Sequence, residues 1–248
     1  MSVEAWQSDR EQLRRYFDYP VPDGQSEAAY WGQQGQDWMV QFALQEQLFE
    51  RMFAQKRQGS FLEIGIGDQP VTQRIGNMIA HDIAYTGLDF AWVCERHQPA
   101  LEAAVRQGLK FRLLGNRTGT YLFNLVELAR AGERFDAIYF DGHHTMYVDA
   151  GPLLVAASLL APDGILAIDD IAWSLSLVAR NMYFSYQQWA FYRQMYNFDL
   201  YEPAQVRENH IGMLVDAVLV GRIGFVPDPA LACLGKAVLR RGADRVSA

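Results

Sequence analysis

Five short apolar runs, at residues 60–64, 83–88, 110–114, 135–140 and 164–168, alternate with stretches of helical spacing at 70–80, 91–107, 119–130 and 146–160. Strands separated by helices of ten or more residues cannot close as hairpins. They need crossover connections, which are right-handed and build a parallel sheet covered by helices on both faces. This rhythm predicts an α/β, doubly wound domain. In such sheets ligands bind beyond the carboxyl ends of the strands, where strand order reverses. The residues that close each run are therefore the ones to read for chemistry.

The flanks are less regular. Residues 4–18 predict a short amphipathic helix, Tyr19–Ser26 a turn-rich connector, and 37–56 a helix with Asp37 as N-cap. An aromatic-rich helical run covers 173–195, and two more strands are expected at 197–201 and 211–220, joined by the polar loop Glu202–His210. The run packs most economically on the sheet and a neighbouring helix, or serves as a lid or dimer face. The last dozen residues are expected to fray. The chain then divides into an N-terminal helical cap (1–58), a ligand-binding domain (59–225) and a C-terminal tail (226–248).

Composition narrows the function. Half the 248 residues are hydrophobic and 21% charged, as in ordinary globular proteins. A net charge of -7, with only three lysines (Lys56, Lys110, Lys236), disfavours nonspecific binding to a nucleic-acid backbone. No window approaches the ~20 apolar residues of a membrane span, and no basic segment followed by an apolar stretch opens the chain. The expectation is a soluble cytoplasmic protein. Its two cysteines, Cys94 and Cys233, form neither a disulfide framework nor a metal motif.

The first run ends in a glycine turn, Glu63-Ile-Gly65-Ile-Gly67-Asp68. Glycine there lets a ligand approach the backbone. A dinucleotide fingerprint would carry a third glycine where this chain has Pro70, which suits a helix start instead and disfavours a nicotinamide dehydrogenase. Asp89 closes the second run, placed either to accept the hydroxyls of a ribose or to cap the helix beginning near Ala91.

Asp141 closes the fourth run, and Asp169 and Asp170 close the fifth, twenty-eight positions on. That spacing fits one strand–helix–strand unit, so all three carboxylates fall at one sheet edge. They repel one another unless a proton or a cation relieves them, and a hard divalent ion with oxygen ligands is the natural partner. The Asp-Asp pair also suits a helix cap. His143 and His144 follow Asp141 closely, and an imidazole titrating near neutrality suits removal of a hydroxyl proton. Either could instead be a loop residue bonded to backbone, and the sequence leaves the choice open. His210 is a weaker candidate.

Over roughly 37–220 the chain resembles class I S-adenosylmethionine-dependent methyltransferases. The carriers are Glu63-Ile-Gly-Ile-Gly-Asp68, Asp89, Gly115-Asn-Arg117 and Phe135-Asp-Ala-Ile-Tyr-Phe-Asp-Gly-His-His144. The resemblance implies a Rossmann-like methyltransferase fold: a mostly parallel, seven-stranded sheet with helices on both faces and an N-terminal helical cap. It implies that Gly65 and Gly67 lie against the cofactor, with Glu63 bracing the turn and Asp68 beside it. Asp89 holds the ribose, and Asn116 stands where the family often has an aspartate near the adenine amine.

Within that superfamily, Asp141 with Asp169-Asp170 resembles the metal set of the cation-dependent O-methyltransferases, and most of all the branch that tailors sugars and natural products. The resemblance implies S-adenosylmethionine and Mg²⁺ or another divalent cation as cofactors. Asp141, Asp169 and Asp170 would be the metal ligands, Asp141 would also lie near the cofactor, and His144 would be the base, with His143 as competitor. The partners expected are a small-molecule acceptor, no nucleic acid and no membrane, with a homo-oligomer allowed. Tyr30, Trp31 and Trp38 are expected to wall an apolar acceptor pocket. Two rivals remain: a metal-independent N- or O-methyltransferase, and a catalytically idle cofactor-binding subunit that works by pairing with another chain.

Overall fold

The computed structural model describes residues 2–21, 24–68, 71–116, 121–193 and 195–242. Pro70 and Arg117, both singled out in the sequence, lie outside them. Contacts divide the chain into two compact units, one of Met1–Val40 with Ala172–His210, the other of Gln41–Ile171 with Ile211–Ala248.

The larger unit is built on a seven-stranded sheet: β1 (Ser60–Ile64), β2 (Ala84–Phe90), β3 (Lys110–Asn116), β4 (Phe135–Phe140), β5 (Leu160–Ile168), β6 (Phe225–Pro227) and β7 (Ala237–Arg241). The strand order is β3-β2-β1-β4-β5-β7-β6. Strands β1 to β5 are parallel, and β7 runs antiparallel to both β5 and β6. The doubly wound, mostly parallel sheet is as expected, and its order reverses at the β1/β4 junction.

Alternation along each strand feeds two cores, as a sheet covered on both faces requires. Phe61, Tyr139 and Ala167 face one way, against Phe49, Met52 and Phe53 of the long helix Glu27–Gln55 and against Met78, Cys94 and Leu101. Leu62, Ile138, Phe140, Leu166 and Ile168 face the other way, against Leu125, Leu153, Ala156, Leu214 and Leu219. Helices Thr72–Ala80, Ala91–Val105, Leu122–Arg130 and Met146–Ser158 form the crossovers.

Several expectations for the flanks are overturned. The helix expected from Asp37 begins at Glu27, so Asp37 is interior and not a cap. Residues 211–220 are helical, as His210–Leu214 running into the π-helical Val215–Ile223. Their buried positions, Ile211, Leu214, Val215 and Leu219, recur at helical and not strand spacing. Residues 198–200 form a single 3₁₀ turn, and the loop at 202–210 holds the short helix Pro203–Val206. The last two strands come instead from segments expected to be tail; β7 takes up the first part of the dozen residues expected to fray, and 243–248 lie outside the described residues.

In the smaller unit the aromatic run breaks into two helices, Leu175–Phe184 and Tyr186–Tyr192, separated by Ser185. They pack on the N-terminal segment. Tyr30 stacks on Phe184 with ring centroids 4.3 Å apart, and Phe17 meets Tyr183 edge-on at 5.5 Å. Among the described residues no helix is long and apolar enough to cross a membrane.

Candidate functional site

Every residue singled out for the site, from Glu63 to Asp170, lies in the larger unit, at or beside the carboxyl edge of its parallel strands. The glycine turn leaves β1 with positive φ at Gly65 (83°) and Gly67 (68°). A Cβ on Gly65 would stand 1.8 Å from the Asp141 carbonyl oxygen, whereas one on Gly67 would meet none of the described residues within 4 Å. Gly65 is therefore required by the neighbouring chain crossing at the switch point, and Gly67 leaves open space above the turn.

Asp89 clasps this turn. Its Oδ2 accepts hydrogen bonds from the Ile66 and Gly67 amides at 2.7 and 3.0 Å, and Oδ1 accepts from Phe90 N at 2.6 Å. It does not cap the following helix, which starts at Ala91 with no side-chain cap. Burial raises its pKa, opposed by those amides. Glu63 is fully buried one layer below. It pairs with Arg74 and accepts from the Tyr85 hydroxyl at 2.6 Å, while Arg74 also bonds Glu46 at 3.0 Å. Glu63 thus lies wholly inside the core at the end of β1, held by Arg74 and Tyr85. Asp68 pairs with Arg96 on the surface, and Asn116 is half-buried at the end of β3.

At the ends of β4 and β5 the acids separate into two groups. Asp141 and Asp170 gather round His144, whose Nε2 lies 3.7 Å from Asp141 Oδ1 and whose Nδ1 lies 3.5 Å from Asp170 Oδ2. Donor atoms of Asp141, His144 and Asp170 all lie within 4.8 Å of one another. Two carboxylates and an imidazole at that spacing suit a divalent cation. The pKa of Asp141 is pushed well up by burial and by Asp169 and Asp170; that of Asp170 is raised by burial, against the pull of His144. Both His144 and Asp170 have positive φ, at 58° and 51°, a conformation uncommon outside glycine that recurs at functional sites.

Asp169 is not brought into that group. It continues the face of Ala167, which is in register with Tyr139, and so points under the edge. There it accepts the Tyr139 hydroxyl, pairs with Lys236, and takes the Asp170 amide at 2.7 Å.

The two histidines are also told apart. His143 is 6% exposed, its ring 5.1 Å from Tyr121 and 5.9 Å from Phe90. Burial, then His144, lowers its pKa to about 4, so it is neutral and a weak base at pH 7. His144 retains 16% side-chain exposure among the acids. His210 belongs to the smaller unit, where its Nε2 meets the Gln205 carbonyl at 2.7 Å.

Sequence reading missed three contributors. Asp149, fully buried, accepts from the His143 and Thr145 amides at 3.1 Å each and fixes the histidine loop. The signal was its place in the first turn of a helix capped by Thr145. Arg74 had no signal beyond its helix. Lys236 could have been suspected as a rare lysine directly before the apolar Ala-Val-Leu.

No protein-family model matches the chain, and no curated protein does. Among solved structures it is similar to the O-methyltransferase TomG of Streptomyces achromogenes in complex with SAM, at 16% identity, TM-score 0.46, covering 98% of this chain and 92% of that one. An O-methyltransferase from Bacillus cereus in complex with SAH matches at 14% identity, TM-score 0.46, covering 97% and 93%. TrmN from Thermus thermophilus matches at 21% identity and TM-score 0.37 over 50% of this chain, which spans only 36% of TrmN.

Proposed function

We propose that this protein is an S-adenosylmethionine-dependent methyltransferase that methylates a hydroxyl of a small molecule with help from a divalent cation. The observation that carries the reading is one junction. The glycine turn clasped by Asp89 and the group Asp141, His144 and Asp170 meet where strand order reverses, with the Asp141 carbonyl against Gly65. A ligand over Gly67 and one beside His144 would be neighbours there.

The open side of Gly67 would receive the cofactor, and Asp89 Oδ1, with one amide donor, retains capacity for a ribose hydroxyl. Asp141 and Asp170 would hold the cation. Bound, the cofactor supplies an electrophilic sulfonium methyl and the cation lowers the pKa of an acceptor hydroxyl. His144 would accept the hydroxyl proton, and the turn and the acids would fix the acceptor for in-line transfer.

A metal-independent transfer served by His144 alone is the second reading. Lys236 favours it, because it already places a positive charge beside Asp169. The test is calorimetry with S-adenosylmethionine, followed by methyl transfer to phenolic and sugar-hydroxyl acceptors with and without chelator. Micromolar binding, weakened in Asp89→Asn, is expected; absence of binding by the wild-type chain would overturn the proposal. Turnover indifferent to chelator would leave the metal-independent reading.

A further inference from the structure

We propose that Lys236 is the resident counter-ion of Asp169 and withdraws this carboxylate from the cation site, leaving Asp141 and Asp170 as its carboxylate donors. The inference rests on the cation-assisted reading above. A carboxylate offers about four acceptor positions. On Asp169 three are taken, by the Asp170 amide, the Lys236 ammonium and the Tyr139 hydroxyl.

The ammonium is itself buried, with Lys236 6% exposed and its Nζ 5.7 Å from the Tyr139 ring centroid. Drawing Asp169 onto a metal would strand that ammonium without its partner in a desolvated place, which is strongly unfavourable. The backbone reinforces the pairing. Ile171 N donates to Gly235 O at 3.1 Å and Lys236 N to Cys233 O at 3.2 Å, so the strand end carrying Asp169 and the turn carrying Lys236 are bonded together. Asp141 and Asp170, with side chains 31% and 39% exposed, are the acids an ion can reach. The site then presents two net negative charges to a dication, not three.

Manganese tests this, because free Mn²⁺ gives an electron paramagnetic resonance signal that binding suppresses, independent of turnover. Wild type is compared with Asp141→Asn, Lys236→Met and the double variant Asp169→Asn/Lys236→Met, each checked for folding. The double variant removes a neutral pair and should bind Mn²⁺ within about threefold of wild type, whereas Asp141→Asn should lose on the order of tenfold or more. Lys236→Met removes a positive charge beside a dication and frees Asp169, so it should bind roughly tenfold tighter. Should it not fold, the double variant decides alone.

If the double variant loses as much as Asp141→Asn, or if a folded Lys236→Met binds no tighter than wild type, Asp169 is not withdrawn and the proposal is wrong, while the cation reading stands. If wild type binds no Mn²⁺ but Lys236→Met does, the lysine has its proposed role and the cation reading fails. If no folded form binds, both fall.

Discussion

The carbonyl oxygen of Asp141 occupies the space in which Gly65 would carry its Cβ, 1.8 Å from the ideal Cβ position. The end of β4 and the turn after β1 are thereby packed backbone against side-chain-free backbone. That contact draws the acid group towards the glycine turn, and it assigns the two glycines different tasks.

Gly65→Ala is expected to damage folding. Its φ of 83° already opposes a side chain, a cost of about 1–2 kcal/mol, and displacing the Asp141 backbone adds to it. Gly67→Ala bears the conformational cost alone, since its Cβ would meet none of the described residues. It should fold and lose cofactor affinity beyond what its stability loss explains. Urea unfolding with calorimetry separates the two. Equal stability of both variants would show that the close approach does not constrain the turn.

Arg74 is the sole cation bonded to the buried Glu46 and Glu63 among the described residues. Arg74→Leu strands two carboxylates that burial already pushes toward higher pKa. The expected loss is on the order of 3–5 kcal/mol, read as a lower denaturation midpoint. Replacing all three by apolar residues should recover much of it. A loss under about 1 kcal/mol in Arg74→Leu would mean that both glutamates are protonated in the folded chain.

The parallel half of the sheet was legible because each strand is a continuous apolar run bounded by a helix, a local pattern. Strands β6 and β7 were not: they are three and five residues long, and β7 pairs with β5 roughly seventy positions back, which no local periodicity records. Residues 211–220 misled because Val-rich composition outweighed the spacing of buried positions. At the site, both doublets were picked out and His144 was preferred to His143 as base, but the two aspartates were given one role. Neighbours at a strand end point to opposite sides. Asp169 continues that alternation and turns under toward Tyr139 and Lys236, while Asp170, past the strand and at positive φ, turns out toward His144. Separating them required knowing where Lys236 lies, and that depends on the long-range pairing of β7.

Asp149 and His143 should give the stability opposing pH slopes. Burial raises Asp149 from 3.8 to about 6, so its folded form binds a proton more tightly than the unfolded chain. Its contribution is full below pH 3.8 and is lost as pH rises through 6. His143, depressed from 6.5 to about 4, contributes fully above 6.5 and loses this as pH falls through 4. Between these limits the two largely cancel in wild type. Asp149→Asn should unmask stability that rises with pH across the window, and His143→Gln stability that falls. Denaturant midpoints across pH 4–7 provide the check, and identical slopes in both variants would refute the assignment.

His144, and not His143, is expected to serve the acceptor. Its ring lies between Asp141 and Asp170 at 3.7 and 3.5 Å, beside the place where a hydroxyl held by their cation would sit. His144→Ala should lower kcat by ~10²–10⁴-fold, the range for a positioned base, with cofactor affinity nearly intact. His143→Ala removes a buried ring from against Tyr121 and Phe90, so its cost should appear as ~1–3 kcal/mol of stability with a much smaller change in kcat. The pH profile adds an independent reading. His143→Ala should leave the shape of the kcat/KM profile unchanged, because a histidine already neutral down to about pH 4 contributes no limb near neutrality. A reversed pair of losses would exchange the roles. If both losses are negligible and chelator abolishes turnover, the cation alone activates the hydroxyl and neither histidine is a base.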